Sequence, residues 1–302
     1  MGTEWQPPAE ANPAVEPAPR GRIRRGIWLT RKAWTLLSGR RGLWTLPIWS
    51  AVTLALAAIL LFVPLAVLVH GRPHGAVIAA AVAVASFLLT AISTFFNVAF
   101  LAMVEAHVEG RPIDASDALA LARGRARAIL GWSLLATLAG LALRALENVN
   151  GGELVARLIG ALGGLAWSLA SFFVIPVLAL EDVGPVEALK RSVSAFKRRW
   201  GEQVTGDLVI GAIYAIAIFA FMVLAVVGFA VAARVPVAGV PIVAVAVAGI
   251  VASVVVSSAV SRVFSLVVYR HALGRPLPTP FTEADVAATF RPRRSWLRWL
   301  VG

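Results

Sequence analysis

The sequence predicts an all-α fold, a polytopic membrane helix bundle with six transmembrane helices and three cytoplasmic interfacial amphipathic helices. Three observations predict it. Six long apolar runs alternate with short loops, hydrophobic residues make up 59% of the chain with a mean hydropathy of +0.81, and most Lys and Arg residues lie on one side of the runs. The apolar runs are unbroken, whereas strands of a membrane barrel alternate apolar and polar residues.

The six runs divide the chain into a membrane domain and two tails. A helix needs about 20 apolar residues to cross the ~30 Å hydrocarbon core, which places the spans at about 46–69, 75–104, 129–146, 154–180, 204–233 and 240–269. Residues 1–21 form a disordered tail, since they are rich in proline and poor in core-forming residues. The membrane domain takes residues 22–275. Residues 276–302 form a cytoplasmic tail with a basic-aromatic interfacial anchor.

The positive charges give the orientation of the spans. Of 28 Lys and Arg residues, 23 lie in the terminal segments and in two loops on the same side, and four lie on the opposite side. Because Lys and Arg stay cytoplasmic, both termini face the cytoplasm of a bacterial cytoplasmic (inner) membrane. The net charge of +12 lies beside membrane ends, so its partner is a lipid bilayer with anionic headgroups. No nucleic-acid-binding motif accompanies the charge, so no nucleic-acid partner is expected.

Each pair of spans follows a short amphipathic helix, which predicts three helix-plus-hairpin units. The apolar faces of the three helices contain, in order, Leu29, Ala33, Leu36 and Leu37; then Ala115, Ala118, Leu119, Ala122 and Ala126; then Val186, Leu189, Val193, Phe196 and Trp200. Such helices lie in the headgroup plane. Trp44, Trp132 and Trp200 fall where each helix leads into its span, as expected of interfacial anchors.

Several segments resemble an uncharacterised family of six-span bacterial membrane proteins, classed as a domain of unknown function. They are Thr94-Phe-Phe-Asn-Val-Ala-Phe100, Ile129-Leu-Gly-Trp-Ser133, Leu141-Ala-Leu-Arg-Ala-Leu-Glu147, 166–177, Gly184-Pro-Val-Glu-Ala-Leu-Lys-Arg-Ser192 and Phe196-Lys-Arg-Arg-Trp-Gly-Glu202. The resemblance covers about residues 28–275. The layout is also distantly similar to the membrane domain attached to some glycerophosphodiester phosphodiesterases. The resemblance implies the fold and the location and supplies no catalytic residues.

Polar residues within the spans are the candidate site residues, since burying them in lipid costs several kcal/mol. Arg262 lies in the sixth span, and Asp207 lies on the same cytoplasmic side in the fifth, so both belong to the inner leaflet, at a depth that allows them to pair. Asn97 ends a polar stripe on the second span, and Ser257 and Ser261 belong to a serine stripe on the sixth. A structural ion pair and helix packing are the preferred interpretations, and a polar transport path is the alternative.

No catalytic residue set, metal site or cofactor motif is present in the sequence. It has no cysteine, Gly-rich phosphate loop, zincin motif or nucleophile elbow. We therefore expect no enzyme activity, no cofactor and no metal. The preferred function is a non-enzymatic scaffold or regulatory protein of the inner membrane, with a membrane-protein partner or a homo-oligomer. The alternative is a transporter of a small solute or lipid near Arg262 and Asp207; a water-accessible cavity at Arg262 favours it.

Overall fold

The structure, a computed structural model, describes residues 22–70, 75–147, 153–199 and 206–281. The predicted disorder of residues 1–21 and the predicted anchor within residues 282–302 lie outside these ranges and stay predictions. The packed region continues past the predicted domain boundary at residue 275, because Phe281 is buried against the bundle.

All regular elements in the described ranges are helical, so the predicted all-α fold is confirmed. The ten α-helices are α1 Arg22–Ser38, α2 Thr45–His70, α3 Gly75–Val108, α4 Ala115–Gly124, α5 Ala126–Glu147, α6 Glu153–Ser171, α7 Val174–Leu180, α8 Pro185–Arg199, α9 Gly206–Ala232 and α10 Pro236–Ala272. A short 3-10 turn, Arg41–Trp44, joins α1 to α2.

Within the described ranges, six helical segments are long and apolar enough to cross a membrane: α2, α3, α5, the pair α6 and α7, α9 and α10. The two longest are α3, with 34 residues, and α10, with 37 residues. Because an α-helix rises about 1.5 Å per residue, both are longer than the hydrocarbon core is thick. Each is therefore long enough to tilt or to extend past the apolar layer.

The fourth apolar run is broken into α6 and α7 at Phe172 and Phe173. Pro176 explains the break, because proline lacks an N–H and its ring clashes with the carbonyl four residues earlier. Ser192 of α8 satisfies two backbone groups at the break. Its Oγ accepts a hydrogen bond from the Phe173 N–H at 3.0 Å and donates one to the Ala170 carbonyl at 2.6 Å.

The short helices α1, α4 and α8 lie at one end of the bundle, here called the base. Each precedes a hairpin of two long helices, as the sequence predicts: α2 with α3, α5 with α6 and α7, and α9 with α10. α4 packs on α3, α8 packs on α6 and α7, and α1 packs on α9 and α10. Each short helix thus contacts the hairpin that precedes it, and α1 closes the ring by contacting the last hairpin.

The faces of the short helices explain this packing. Ala33, Leu36 and Leu37 of α1 are buried, as are Ala118 and Ala122 of α4. In α8 the buried line instead runs through Ala188 and Ser192. The predicted apolar stripe of α8 lies beside that line and remains partly exposed: Val186 is 54% exposed, and Leu189, Val193 and Phe196 are half-buried. Small residues allow α8 to approach the bundle closely.

The densest packing lies near the base. Its buried segments are Val98–Glu105 of α3, Phe173–Ala179, which includes most of α7, and Val263–Arg270 of α10. Toward the other end of the bundle many large apolar residues are exposed, as expected for surfaces that contact lipid. The bundle therefore has a solid base below more open long helices.

Candidate functional site

A polar cavity of about 480 Å³ lies between the long helices, directly above the solid base. Its lining residues are Leu54, Leu89, Thr90, Ser93, Thr94, Asn97, Trp132, Ser171, Ile175 and Arg262. The lining combines hydroxyl and amide groups with one cation, and no acidic residue is among these described residues. The long helices around it expose mainly large apolar residues, so this cavity is a polar space within a largely apolar part of the bundle.

Arg262 of α10 is half-buried at the edge of this cavity. Its Nε–H donates a hydrogen bond to Oδ1 of Asn97 on α3 at 3.2 Å. Asn97 is itself oriented by its own helix, because its Nδ2 donates to the Ser93 carbonyl at 2.8 Å. A guanidinium has five donors in a planar fork, and the bond to Asn97 fixes the direction of one edge of that group.

The polar stripe of α3 lines this cavity. Thr90, Thr94 and Asn97 all contribute to the wall, and the preferred interpretation of the stripe as a helix-packing seam stays a prediction. Thr90 Oγ1 donates to the Ser86 carbonyl at 2.7 Å, which satisfies its hydroxyl within the helix. The stripe therefore provides polar surface without an unsatisfied donor at Thr90.

The serine stripe of α10 is placed differently. Ser257 and Ser261 are half-buried and are not among the described residues that line the polar cavity. Ser253 and Ser265, at the two ends of the stripe, donate to carbonyls of their own helix, Gly249 and Arg262, at 2.8 Å and 2.9 Å. The interpretation of this stripe as packing stays a prediction.

Of the predicted polar pair, only Arg262 can be described. Asp207 belongs to α9, but its side chain lies outside the described residues, so its pairing with Arg262 stays a prediction. The structure thus brings Arg262 and Asn97 together, and it places Ser257 and Ser261 elsewhere on α10.

Trp132 contributes an aromatic wall to the cavity. It is 5% exposed and stacks on Trp167 of α6, with ring centroids 5.7 Å apart and an interplanar angle of 7°. The prediction of Trp132 as an interfacial anchor is therefore wrong. The sequence places it correctly at the start of a span, but the side chain points into the bundle rather than toward the headgroup layer.

A buried ion pair joins α3 and α10 below the cavity. Arg270 Nη1 lies 2.5 Å from Glu105 Oε1, and both side chains are almost fully buried. Arg275 Nη1 lies 3.6 Å from the same carboxylate, and Glu109 Oε1 lies 3.9 Å from Arg270. Arg270 Nε also donates to the Pro276 carbonyl at 2.9 Å. The charges are compensated within the cluster, which is what burial at this depth requires.

A second polar cluster joins α7, α8 and α10 at the base. The Tyr269 hydroxyl donates to Glu181, and Glu181 also accepts from Arg191 of α8. Hydrogen bonds to Glu181 and then to Glu187 raise the pKa of Arg191. These contacts tie the end of α7 to its neighbours, so the ring of short helices is joined by charge as well as by apolar packing.

Arg125, at the junction of α4 and α5, caps the end of α7. Its Nη1 donates to the Leu178 carbonyl at 2.6 Å. This carbonyl lies in the last turn of a helix, where carbonyl groups lack a partner within the helix. Burial lowers the pKa of Arg125, and the nearby charge of Asp182 partly offsets that shift.

The Glu105–Arg270 pair at the base was not predicted from the sequence. The sequence nevertheless contains a related signal, because a His-x-x-Gly-Arg-Pro pattern occurs twice. The two copies are His107-Val-Glu-Gly-Arg-Pro-Ile113 and His271-Ala-Leu-Gly-Arg-Pro-Leu277. In both segments the glycine has a positive φ, 71° at Gly110 and 68° at Gly274, and ends its helix. The two repeats place α3 and α10 in equivalent positions.

No group of three or more metal-ligating side chains comes together in the part of the chain that the structure describes. The expected absence of a metal, a cofactor and an enzyme activity stays a prediction.

The comparisons with known proteins give one match. The model of a family described as a family of unknown function (DUF6159) matches residues 87–276, more than half of the 302 residues. No curated protein and no solved structure matches. The matched segment runs from α3 to just past α10 and includes every polar residue of the cavity wall as well as the buried pair at the base.

Proposed function

We propose that this chain, which belongs to the DUF6159 family of unknown function, binds an anionic solute or lipid headgroup at Arg262, as the loading step of transport. The observation that supports the proposal is the position of Arg262 at a cavity of about 480 Å³ whose other polar lining residues, among those the structure describes, are uncharged. A charged side chain inside a membrane bundle is costly and marks a ligand path by default.

The orientation of the bundle follows from its charges. In the sequence, the terminal segments and the two loops that carry α4 and α8 contain 23 of the 28 Lys and Arg residues. From this bias we infer that the base faces the cytoplasm of a bacterial inner membrane, with both termini on that side. The basic groups of the base lie beside anionic headgroups. With this orientation, the buried segments of α3, α7 and α10 separate the cavity from the cytoplasm.

The scaffold function remains the second candidate, because the base is densely packed and its short helices close a ring around the bundle. A protein whose only task is to hold partners needs such a rigid platform and needs no polar cavity. The distant likeness to the membrane domain of glycerophosphodiester phosphodiesterases stays a prediction.

Thermal unfolding tests the anion-binding function. The full chain in a neutral detergent is titrated with glycerol phosphate and, separately, with dioctanoyl phosphatidic acid at constant ionic strength. A ligand that binds the folded state raises the Tm. We expect at least one of these probes to raise it in wild type and in Arg144→Gln, which removes an exposed arginine elsewhere on α5, but not in Arg262→Gln. If neither probe raises the Tm of wild type, or if Arg262→Gln responds equally, the scaffold function replaces this proposal.

A further inference from the structure

An apolar groove of about 270 Å³, here called the flank groove, lies on the side of the bundle where α2, α3 and α5 meet. The residues that line it are Thr53, Ala91, Ile92, Phe95, Phe96, Ala126, Ile129 and Leu130. Because α3 packs against both α2 and α5, its residues form the floor, and the other two helices form the walls. The small side chains of Ala91 and Ala126 leave room between the larger ones.

The flank groove opens to the side of the bundle. Leu130 on its α5 wall is 49% exposed. One turn farther from the base, Leu134 of α5 and Leu88 of α3 are 52% and 38% exposed, so the apolar surface continues in that direction. Among the described residues, the linings of the flank groove and of the polar cavity share no member. In a bilayer this surface meets acyl chains, which are as apolar as leucine.

The volume of the flank groove matches a stretch of acyl chain. A methylene group is about the size of a water molecule, which takes ~30 Å³ in the liquid, so about 270 Å³ holds roughly nine methylene groups. Leu88 and Leu134 provide apolar surface for the rest of the chain, away from the base. The headgroup of such a lipid therefore lies at the end of the groove that is nearest the base.

That end of the flank groove carries positive charge. Ala126, the first residue of α5, lines the groove, and the exposed Arg127 follows it, one turn below Leu130. Arg123, exposed in the last turn of α4, lies four residues before Arg127. Within the described ranges, no ion pair joins either arginine to a carboxylate. Two cations thus lie where the apolar lining ends.

Trp49 of α2 marks the level of the headgroups beside the same groove. It is 63% exposed and lies one turn nearer the base than Thr53, on the same side of the helix. An exposed tryptophan at the end of a span favours the interface between acyl chains and water. The level of Trp49 and Arg127 is therefore the level at which lipid phosphate groups lie, and there a basic side chain attracts anionic headgroups.

From this geometry we infer that the flank groove binds one anionic phospholipid of the cytoplasmic leaflet, with an acyl chain on Ala91 and Ile92 and its phosphate beside Arg127 and Arg123. A zwitterionic lipid gains the same apolar contact but less from the two arginines. The inference goes beyond the proposed function, since it does not depend on Arg262. The bound lipid joins the first hairpin to the second, because α2 and α5 form the two walls.

Native mass spectrometry of retained lipid tests the inference. The full chain is reconstituted with equal amounts of phosphatidylglycerol, which is anionic, and phosphatidylcholine, which is zwitterionic, with identical acyl chains. It is then extracted in a neutral detergent. Every variant is also measured together with Arg262→Gln, so that lipid at the polar cavity does not contribute. We expect one phosphatidylglycerol to be retained in preference to phosphatidylcholine, with or without Arg262→Gln.

The charge at the groove is tested by removing Arg127. Arg127→Gln should lower the preference for phosphatidylglycerol about fivefold, which is the factor that one basic residue near an anionic surface contributes. The matched control is Arg31→Gln, which removes an exposed arginine of α1 and should keep the preference of wild type. Both changes remove one positive charge from an exposed position, so neither is expected to disturb folding.

The apolar part of the groove is tested by filling it. Thr53→Phe places a ring in the groove from α2, and Leu130→Trp does so from the exposed α5 wall, where folding tolerates a larger side chain. Ala55→Phe is the control, because Ala55 is exposed on α2 and does not line the groove. We expect both filling variants to lose phosphatidylglycerol and phosphatidylcholine alike, while Ala55→Phe retains lipid as wild type does.

The outcomes decide the inference separately from the proposed function. If wild type shows no preference for phosphatidylglycerol, if Arg127→Gln keeps that preference, or if the filling variants retain lipid, the inference is overturned. It is also overturned if the chain is detected as a lipid-free dimer that the filling variants convert to monomers, because the groove is then an interface between two copies. The anion-binding function is tested independently by glycerol phosphate, which has no acyl chain and reports on Arg262 alone.

Discussion

Arg262 on α10 donates a hydrogen bond to Asn97 on α3, and eight residues further along both helices Arg270 meets Glu105. The two cross-links lie at the same sequence offset, so α3 and α10 run parallel and in register over about 12 Å, given a rise of ~1.5 Å per residue. The upper link lies at a polar cavity and the lower link lies in the solid base. The same pair of helices thus borders the polar cavity and forms its floor.

Removal of one partner of the lower link is expected to destabilise the fold strongly. Arg270→Gln leaves the Glu105 carboxylate buried without its closest cation, which costs about 3–5 kcal/mol. Arg111→Gln is the control, because the Arg111 side chain is 80% exposed and its pair with Glu109 contributes about 1 kcal/mol or less. Unfolding free energies measured in mixed micelles check this. Equal losses of unfolding free energy in the two variants would show that the Glu105–Arg270 pair contributes no more to stability than the exposed pair does.

Ser192→Ala is expected to weaken the junction between α6 and α7. The Phe173 N–H and the Ala170 carbonyl both bond to the Ser192 hydroxyl inside the protein, and loss of a buried partner costs about 1–3 kcal/mol. Ser194→Ala, an exposed change two residues later on α8, serves as the control and should be within about 0.5 kcal/mol of wild type. A stability of Ser192→Ala that matches the control would contradict the bridging role of the hydroxyl.

The contribution of Glu109 to stability is expected to depend on pH. A hydrogen bond from Arg111, which is the largest cause, holds the pKa of Glu109 below its usual value of 4.5. A carboxylate with a lowered pKa in the folded state stabilises the fold above its unfolded pKa, and this stabilisation is lost as the pH falls through the folded pKa. The carboxylate is largely exposed, so the effect is small. Wild type should therefore have a slightly higher Tm than Glu109→Gln at pH 7, and the difference should vanish in acid. A Tm difference that persists below the folded pKa of Glu109 would show that the stabilisation does not come from the charge of its carboxylate.

A negative charge at position 97 is expected to compete with the ligand. Asn97→Asp places a carboxylate on the Arg262 guanidinium in the same geometry as the amide, so the charge that attracts an anion is compensated. The fold should remain intact, because a charged hydrogen bond replaces a neutral one. The response of the Tm to anionic probes should be lost in Asn97→Asp and kept in Asn97→Ser. Undiminished binding by Asn97→Asp would mean that the anion does not depend on Arg262.

The fold follows from the sequence to a large extent, because hydrophobic length and charge placement act locally. The long apolar runs predict the spanning helices, and the alternating short amphipathic segments predict the helices of the base. Pro176 also marks the break between α6 and α7. The contact between Glu105 and Arg270 is harder to predict, since the two residues are far apart along the chain and their pairing depends on the register of α3 against α10.

The site was predicted only in part, for a similar reason. Charge burial alone points to Arg262, and the stripe on α3 points to Asn97, but helical spacing does not distinguish a face that packs from a face that borders a cavity. Both stripes have helical spacing, yet Thr90 and Thr94 are among the described residues that line the cavity while Ser257 and Ser261 are not. Trp132 shows the same limit, because the position of a tryptophan along the chain does not fix the direction of its side chain.

Water accessibility of the cavity tests the central claim most directly. Single cysteines in this cysteine-free chain are placed at Ser93 and Ser171 on the cavity wall, at Ser257 on α10 away from it, and at Leu138, which is 56% exposed on the outer surface of α5. Intact vesicles are treated with a water-soluble thiol reagent. We expect labelling at positions 93 and 171, reduced by an anionic lipid, and no labelling at positions 257 and 138. Absence of labelling at positions 93 and 171 would contradict a hydrated cavity at Arg262 and would favour the scaffold function.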